Sequence, residues 1–300
     1  SKMNPKLIPW IFVWIWSTGF IAVKYGLPYA EPFTLLMYRF MFTLIILLLI
    51  IKYKNSPWPK SKLGYFHLLI VGALIHGIYL GGIFQAIQWG MPVGISAMVI
   101  GLQPLGMALA AGVLLKEQVT MRQWTGLVIG LIGLYLVLFD KMDLTSELSF
   151  EGFSIWAVIA AVVSLFAISI GAVYQKRFCS DLDLISGTWV QYFSALILCI
   201  LISVFFETGD VAWTRAFIYT LTWQVLALSI GAIFLLMTMI KHGAAANVGS
   251  YFYLVAPLAA IQAWFLFEET IGLSAFFGVV LVSFGVAITS SKQPLKTIQN

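Results

Sequence analysis

The sequence predicts an all-α integral membrane protein in which ten transmembrane helices form two inverted five-helix repeats. Hydrophobic residues make up 61% of the chain and charged residues 10%, whereas soluble domains are about 25% charged. Lipid must therefore solvate most of the surface. Ten apolar runs are long enough to cross the hydrocarbon core of a bilayer, which takes roughly 17–25 residues. In addition, a proline-centred segment occurs at equivalent places in the two halves.

The apolar runs fall into two sets of five. The first set covers residues 7–25, 33–52, 65–89, 92–115 and 122–139. The second set covers residues 153–175, 184–206, 219–241, 244–267 and 271–290. Between them, the segment from Asp140 to Glu151 is long and acidic, as expected of a connector. We therefore predict a first repeat at 1–143 and a second at 144–300.

A glycine and a proline mark one apolar helix in each half. Pro104 lies 14 residues after Gly90, and Pro257 lies 14 residues after Gly243. A proline inside a helix removes a backbone hydrogen bond and interrupts the helix. At membrane depth such interruptions are tolerated only beside protein or a water-filled cavity. Paired interrupted helices are typical of secondary transporters, whose substrate sites lie between inverted repeats.

The distribution of Lys and Arg predicts the orientation. With the N-terminus in the cytoplasm, 13 of the 17 Lys and Arg residues fall on the inner side, as the positive-inside rule expects. Lys24, Lys141 and Arg215 fall outside, and Arg39 is left within the membrane. Because each half has an odd number of spans, the second half enters the membrane from the opposite side. The repeats are therefore inverted, and both termini are cytoplasmic.

The order of these features resembles a known family. Each half has a proline-centred fourth helix, an acidic residue after it (Glu117 or Glu269) and a glycine-spaced fifth helix. With residues 90–97 and Gly126, this order resembles the EamA-like branch of the drug/metabolite transporter superfamily. The resemblance implies a ten-span transporter of the bacterial inner membrane. Members of that branch include exporters of amino acids and related metabolites.

Arg39 is the most anomalous residue, because it lies about two turns into the second span. A guanidinium at membrane depth is costly and should face a cavity or a partner. Its planar fork can bind a carboxylate or phosphate through two hydrogen bonds. Alternatively, Arg39 caps free carbonyl groups or extends to the outer surface. The second half has the neutral Gln191 at the corresponding position, 152 residues later.

His76 and Tyr79 lie three residues apart on the third span and hence on one helical face. This face either lines a cavity or packs against a neighbouring helix. No Asp or Glu lies in the middle of a predicted span, so no buried carboxylate is available to carry protons. His76 is the one mid-span group whose ordinary pKa lies near neutrality. We expect either passive exchange or proton coupling through His76.

Several other polar and aromatic side chains lie within the spans and could stack on or hydrogen-bond a metabolite. Aromatic residues also form belts at membrane interfaces, which is the alternative for each of them. The predicted substrate-binding set, with the two helix-breaking prolines last, is Trp16, Tyr38, Arg39, His76, Tyr79, Gln103, Tyr174, Gln191, Tyr253, Pro104 and Pro257.

The sequence favours a secondary transporter that exports a small amino-acid-like or aromatic metabolite by alternating access. The alternative is facilitative uptake or exchange of a nucleobase-like or cationic metabolite. A membrane enzyme would need paired carboxylates, a metal cluster or an activated nucleophile, whereas every Asp and Glu falls at a span end or in a loop and the three histidines are scattered. The chain has no Gly-x-x-x-x-Gly-Lys-Ser/Thr loop, which argues against ATP-driven transport. We expect membrane lipid and a small molecule as partners, without a cofactor, a metal or nucleic acid.

The fifth span carries a stripe of small residues, Gly126, Gly130 and Gly133. Such stripes allow two helices to approach closely. Packing within the chain is the simpler interpretation, and dimerisation through this span is the alternative. The protein is therefore predicted to be a monomer or a weak homodimer.

The predicted orientation can be tested at the connector between the repeats. Replacing Glu151 with cysteine, in a variant without Cys179 and Cys199, should allow a membrane-impermeant thiol reagent to label intact cells from the periplasm. The reason is that the connector follows five spans from a cytoplasmic N-terminus. Labelling that requires prior disruption of the membrane would reverse the orientation.

Overall fold

The structure is a computed structural model that describes residues 7–143, 145, 149–235 and 254–290. Within these residues, eight helices are long and apolar enough to cross a membrane. Two shorter apolar helices, Val255–Phe267 and Leu273–Ile288, lie where the ninth and tenth spans are predicted. The protein is an all-α integral membrane protein built of two repeats, as predicted, and its described helices agree with the ten predicted spans.

The helices of the first repeat follow one another through short links. Their bounds are α1 Ile8–Gly26, α2 Pro32–Lys54, α3 Lys62–Gly72, a first π segment Ala73–Ile78, α4 Tyr79–Gln88, α5 Val93–Gly101, α6 Gln103–Leu114 and α7 Met121–Asp140. The third span thus consists of α3, the π segment and α4. The fourth span consists of α5 and α6.

The connector contains a short antiparallel hairpin, in which Ser149 pairs with Ser154 and Phe150 with Phe153. The predicted loop is therefore partly structured. The elements of the second repeat are β1 Ser149–Phe150, β2 Phe153–Ser154, α8 Ile155–Phe178, α9 Leu184–Phe206, α10 Arg215–Thr222, a second π segment Trp223–Ala232, α11 Val255–Phe267 and α12 Leu273–Ser290.

Local sequence signals explain where several helices begin. Thr120 and Gln123 form a capping box at the start of α7, because each side chain binds the other's backbone N–H. The Asp183 carboxylate accepts hydrogen bonds from the amides of Ile185 and Ser186 at the start of α9. Pro32 lies in the first turn of α2, where its missing N–H has no helical partner to lose.

The fourth span is interrupted at Leu102, which lies between α5 and α6. Its ψ angle of 1° departs from that of an α-helix. Pro104 lies in the first turn of α6, and Pro257 lies in the first turn of α11. A Cβ placed on Gly101 would lie 3.1 Å from the Ala256 Cβ atom. The two proline-centred segments therefore pack against each other.

The third span of each repeat contains a π segment. A π turn is rare and often occurs at functional sites. His76 lies in the first π segment and Ser229 in the second. These two residues are 153 residues apart, the same offset that separates Pro104 from Pro257. The duplication therefore extends to a local helix distortion that the amino-acid pattern did not indicate.

The glycine stripe of α7 packs against α12 within the same chain. A Cβ on Gly133 would lie 2.6 Å from the Gly278 carbonyl oxygen, and one on Gly285 would lie 2.6 Å from the Gly126 carbonyl oxygen. Real side chains do not approach backbone atoms this closely, so the two helices need glycine at these positions. This face of α7 is occupied within the chain.

We predict that Gly133→Ala lowers the stability of the purified protein by about 1–3 kcal/mol, since an added methyl group in a closely packed interface forces helices apart. Gly19→Ala is a matched control, because its Cβ would meet only the flexible Leu228 side chain, at 3.7 Å. Thermal unfolding in detergent measures both. Equal stability of the two variants would contradict this packing.

Candidate substrate site between the repeats

A cavity of about 100 Å³ lies between the two repeats. It is lined by α1, α2, the third span and α8, α9 and the eighth span. Its polar side chains are Arg39, His76, Tyr79 and Tyr192, and the other lining residues are apolar apart from Trp16 and Gly19. Two of these polar residues, His76 and Tyr79, come from one face of the third span. The cavity is therefore an apolar pocket with one concentrated polar wall.

Arg39 is buried, with 6% of its surface exposed. Its Nε donates a hydrogen bond to the Ser229 Oγ atom at 2.9 Å. Among the described residues, the one ion pair joins Lys24 and Glu269, so Arg39 has no carboxylate partner there. Arg39 thus lines the cavity instead of extending to the outer surface. A guanidinium in this position is suited to binding an anion.

His76 contacts Gln191, the counterpart of Arg39 in the other repeat. Its Nε2 lies 3.1 Å from the Gln191 Oε1 atom. Because that oxygen can only accept, the Nε2 atom carries the proton in this arrangement. The Tyr192 ring lies beside the imidazole at a centroid distance of 4.2 Å, and its hydroxyl donates to the Ser229 carbonyl oxygen at 3.3 Å. Gln191 is buried behind this polar wall.

The hydrogen bonds Arg39–Ser229 and His76–Gln191 join equivalent pairs of positions in the two repeats. Arg39 and Gln191 occupy equivalent positions on the second and seventh spans, and His76 and Ser229 occupy equivalent positions on the third and eighth. Each contact crosses from one repeat to the other, Arg39 to Ser229 and Gln191 to His76. The approximate two-fold relation between the repeats therefore passes through the site. Only one copy carries a fixed charge.

A larger vestibule of about 1050 Å³ leads toward this cavity. Trp16 and Phe20 line both spaces and thus separate them. Gln103 and Pro104 line the vestibule, together with Glu117 and Lys176 near its mouth. The mouth lies at the ends of α6 and α8 and at the start of α9, which are the helix ends predicted to be cytoplasmic.

The opposite face of the molecule is closed by acidic residues that cap helices of the other repeat. The Glu269 carboxylate accepts hydrogen bonds from the amides of Val93 and Gly94, at 2.9 and 3.1 Å. The Lys24 ammonium lies 3.4 Å from the same carboxylate. Anions are favoured at a helix N-terminus by the unpaired amides and the helix dipole. This arrangement joins α1, α5 and α11.

A second acidic contact stabilises the same closed face. Glu207 accepts hydrogen bonds from the amides of Phe33 and Thr34 at the start of α2. In the adjoining loop, Glu31 accepts hydrogen bonds from the Thr208 amide and hydroxyl. These bonds hold the pKa of the Glu31 carboxyl below its ordinary value. The Glu31 carboxyl is therefore ionised at neutral pH and keeps its contacts with Thr208.

The structure places the remaining predicted residues elsewhere. The Tyr38 ring packs edge-on against Trp213, with centroids 5.0 Å apart, and does not line the cavity. The Tyr174 hydroxyl lies 2.7 Å from the His67 Nδ1 atom, away from the lining of either space. Tyr253 lies outside the described residues. Of the predicted set, Arg39, His76 and Tyr79 line the cavity, and Gln191 contacts His76. Trp16 lines both spaces, and Gln103 lines the vestibule.

Ser229, Tyr192 and Phe20 belong to the site but were not singled out from the sequence. Ser229 could have been found by applying the repeat offset to His76, as the offset links Arg39 with Gln191. Tyr192 follows Gln191 directly. Phe20 has no distinguishing sequence signal, because it is one of 23 phenylalanines.

Comparison with known proteins identifies relatives of this architecture. The model of the EamA-like transporter family matches residues 8–139 and 155–291. A solved structure with a TM-score of 0.62 covers 96% of this chain and is itself covered to 96%, at 18% identity. That similarity concerns the fold alone.

Three relatives have more specific descriptions. A WAT1-related chloroplastic protein of Arabidopsis thaliana is 27% identical over 79% of this chain, which spans 54% of that protein. An S-adenosylmethionine uptake transporter of Rickettsia bellii is 23% identical, covering 89% of this chain and 86% of the relative. A probable amino-acid metabolite efflux pump of Salmonella typhimurium is 26% identical, and the match covers 56% of this chain and 52% of the relative. The relatives therefore differ in both solute and direction.

Proposed function

Because the chain belongs to the EamA-like transporter family, we propose that it is a secondary transporter exporting a small amino-acid-like or aromatic metabolite by alternating access. The observation that carries this proposal is the buried Arg39, which lines an apolar cavity between the repeats without a carboxylate partner in the described chain. The matched family and its named relatives are transporters, which argues against an enzyme.

The repeat supports alternating access through an exchange of acidic contacts. Lys24 and Glu269 pair at the closed face. Their equivalents 152 residues away are Lys176 and Glu117, which both line the open vestibule. If the two repeats exchange conformations, Glu117 gains the helix-capping role that Glu269 now has, and the contacts of Glu269 open. Inverted-repeat transporters expose a midplane site alternately in this way.

The predicted orientation supports export as the proposed direction of transport. The excess of Lys and Arg at one set of helix ends predicts that the vestibule opens to the cytoplasm of a bacterial inner membrane, with both termini on that side. A metabolite would therefore enter the site from the cytoplasm. The relative described as an efflux pump supports this direction.

The second candidate is uptake or exchange of a nucleobase-like or cationic metabolite. It is favoured by the Rickettsia bellii relative, which is described as an S-adenosylmethionine uptake transporter. Against a cationic solute, the cavity has a permanent positive charge at Arg39 and no acidic side chain among its lining residues. A solute with an acidic group is therefore the better match to the cavity lining.

We predict that proteoliposomes containing the wild-type protein exchange labelled hydrophobic amino acids or their 2-oxo acids across the membrane without altering them. Arg39→Gln should reduce this exchange at least about tenfold, because hydrogen bonds to a charged group contribute about 1.5–3 kcal/mol. Arg39→Lys retains the charge but not the fork and should mainly raise the half-saturation concentration. Arg215→Gln, at an exposed position on α10, is the control.

The same vesicles address coupling when a pH gradient is imposed without a solute gradient. Accumulation that is lost in His76→Gln would indicate proton coupling through the cavity, whereas its absence in the wild type would indicate passive exchange. Normal exchange by both Arg39 variants would remove the proposed role of Arg39. The absence of exchange for every solute by a folded protein would contradict the transport proposal.

The exchange of acidic contacts makes a separate prediction. Glu269→Gln weakens the closed face, since a neutral amide binds the amides of α5 and the Lys24 ammonium less strongly. Glu117→Gln should instead weaken closure of the vestibule. Single cysteines placed at the two faces should therefore be labelled by a thiol reagent at rates that change in opposite directions in the two variants. Changes in the same direction would contradict the symmetrical arrangement.

A further inference from the structure

We propose that the cavity selects a monocarboxylate with an aromatic or branched apolar tail and no free ammonium group. Chemically, such a solute is a hydrophobic amino acid whose amino group has been removed or acylated. This proposal rests on the proposed transport function and specifies the solute that the same site binds. It excludes zwitterionic amino acids as the preferred solutes.

The carboxylate would bind to Arg39. Within the described chain, Nε is the one nitrogen of this guanidinium with a protein acceptor, the Ser229 Oγ atom. The two terminal nitrogens remain available for the paired hydrogen bonds that a carboxylate accepts. Tyr79 lines the same wall, and its hydroxyl is a further donor. Ser229 holds the guanidinium in place from behind.

An ammonium group has no acidic partner at this depth. All 12 Asp and Glu residues of the chain lie at span ends or in the segments that join the spans. At the two ends of the path, Glu269 already binds the amides of α5 and Lys24, and Glu117 lies near the vestibule mouth. An ammonium placed beside Arg39 would lose its hydration and meet a like charge.

The rest of the cavity suits an apolar tail. Ile83, Phe84, Leu228 and Ile233 line it, and Trp16 and Phe20 separate it from the vestibule. Burial of apolar surface contributes roughly 25 cal/mol per Å², and aromatic rings add favourable ring–ring contacts. A solute with its carboxylate at Arg39 can direct its tail toward Trp16 and Phe20. One charged end and one apolar end therefore match the two parts of the site.

Three compounds with the same ring and chain length test the proposal. These are 3-phenylpropanoate, phenylalanine and phenethylamine, which carry an anionic group, both charges and a cationic group, respectively. Calorimetric titration of the detergent-purified protein should show that 3-phenylpropanoate binds at least about tenfold more tightly than phenylalanine. Phenethylamine should bind most weakly. The common ring removes differences in apolar burial from the comparison.

Variants identify the charge responsible for this order. Arg39→Gln should weaken binding of 3-phenylpropanoate at least about tenfold and abolish the preference over phenylalanine, whereas Arg215→Gln should leave both unchanged. Arg39→Lys should retain part of the preference through its charge. The order among the three compounds in the wild-type protein tests the proposal even if a substitution at Arg39 impairs folding.

The proposal is overturned if phenylalanine or phenethylamine binds as tightly as 3-phenylpropanoate, if 3-phenylpropanoate does not bind, or if Arg39→Gln leaves its binding unchanged. Flux measurements separate this failure from failure of the transport function. Proteoliposomes that move phenylalanine but not 3-phenylpropanoate retain a transporter with a different solute class. Folded protein that moves no solute of either class contradicts the transport function itself.

Discussion

The architecture of the site depends on one constraint, the burial of a guanidinium within a bilayer. Arg39 has a permanent charge, and it lies in a span where no carboxylate is available to neutralise it. A position facing lipid would be costly. The fold instead places it in a cavity between the repeats, where Ser229 binds its Nε atom. Within the described chain the terminal nitrogens have no protein acceptor, which is the reason we propose Arg39 as the anchor for the solute.

Duplication explains how the fold provides this position. The contact between the second and eighth spans recurs between the seventh and third, with Gln191 and His76 in place of Arg39 and Ser229. A symmetrical scaffold can therefore hold an asymmetrical site, because only one copy carries the charge. The same duplication places Glu269 at the closed face and its counterpart Glu117 beside the vestibule. Conformational exchange between similar repeats can then open one face while it closes the other.

Much of this organisation could be predicted from the sequence. Ten apolar runs, the repeated prolines and the unusual depth of Arg39 indicated the membrane fold and a site between the repeats. The directions of side chains were less predictable, because they depend on how each helix is rotated against its neighbours. Tyr38 packs against Trp213, and Tyr174 binds His67, although both looked suitable for a cavity. The π segments and the capping of α5 by Glu269 also arise from tertiary packing and have no local sequence signal.

The central claim is that the cavity beside Arg39 opens alternately to both sides of the membrane. Leu80 lines this cavity, so Leu80→Cys in a variant without Cys179 and Cys199 reports its accessibility. Membrane-impermeant thiol reagents should modify this cysteine from the cytoplasmic side and, at a different rate, from the periplasmic side, and a bound solute should slow both reactions. Modification from one side alone, under conditions in which the same variant transports solute, would contradict the account.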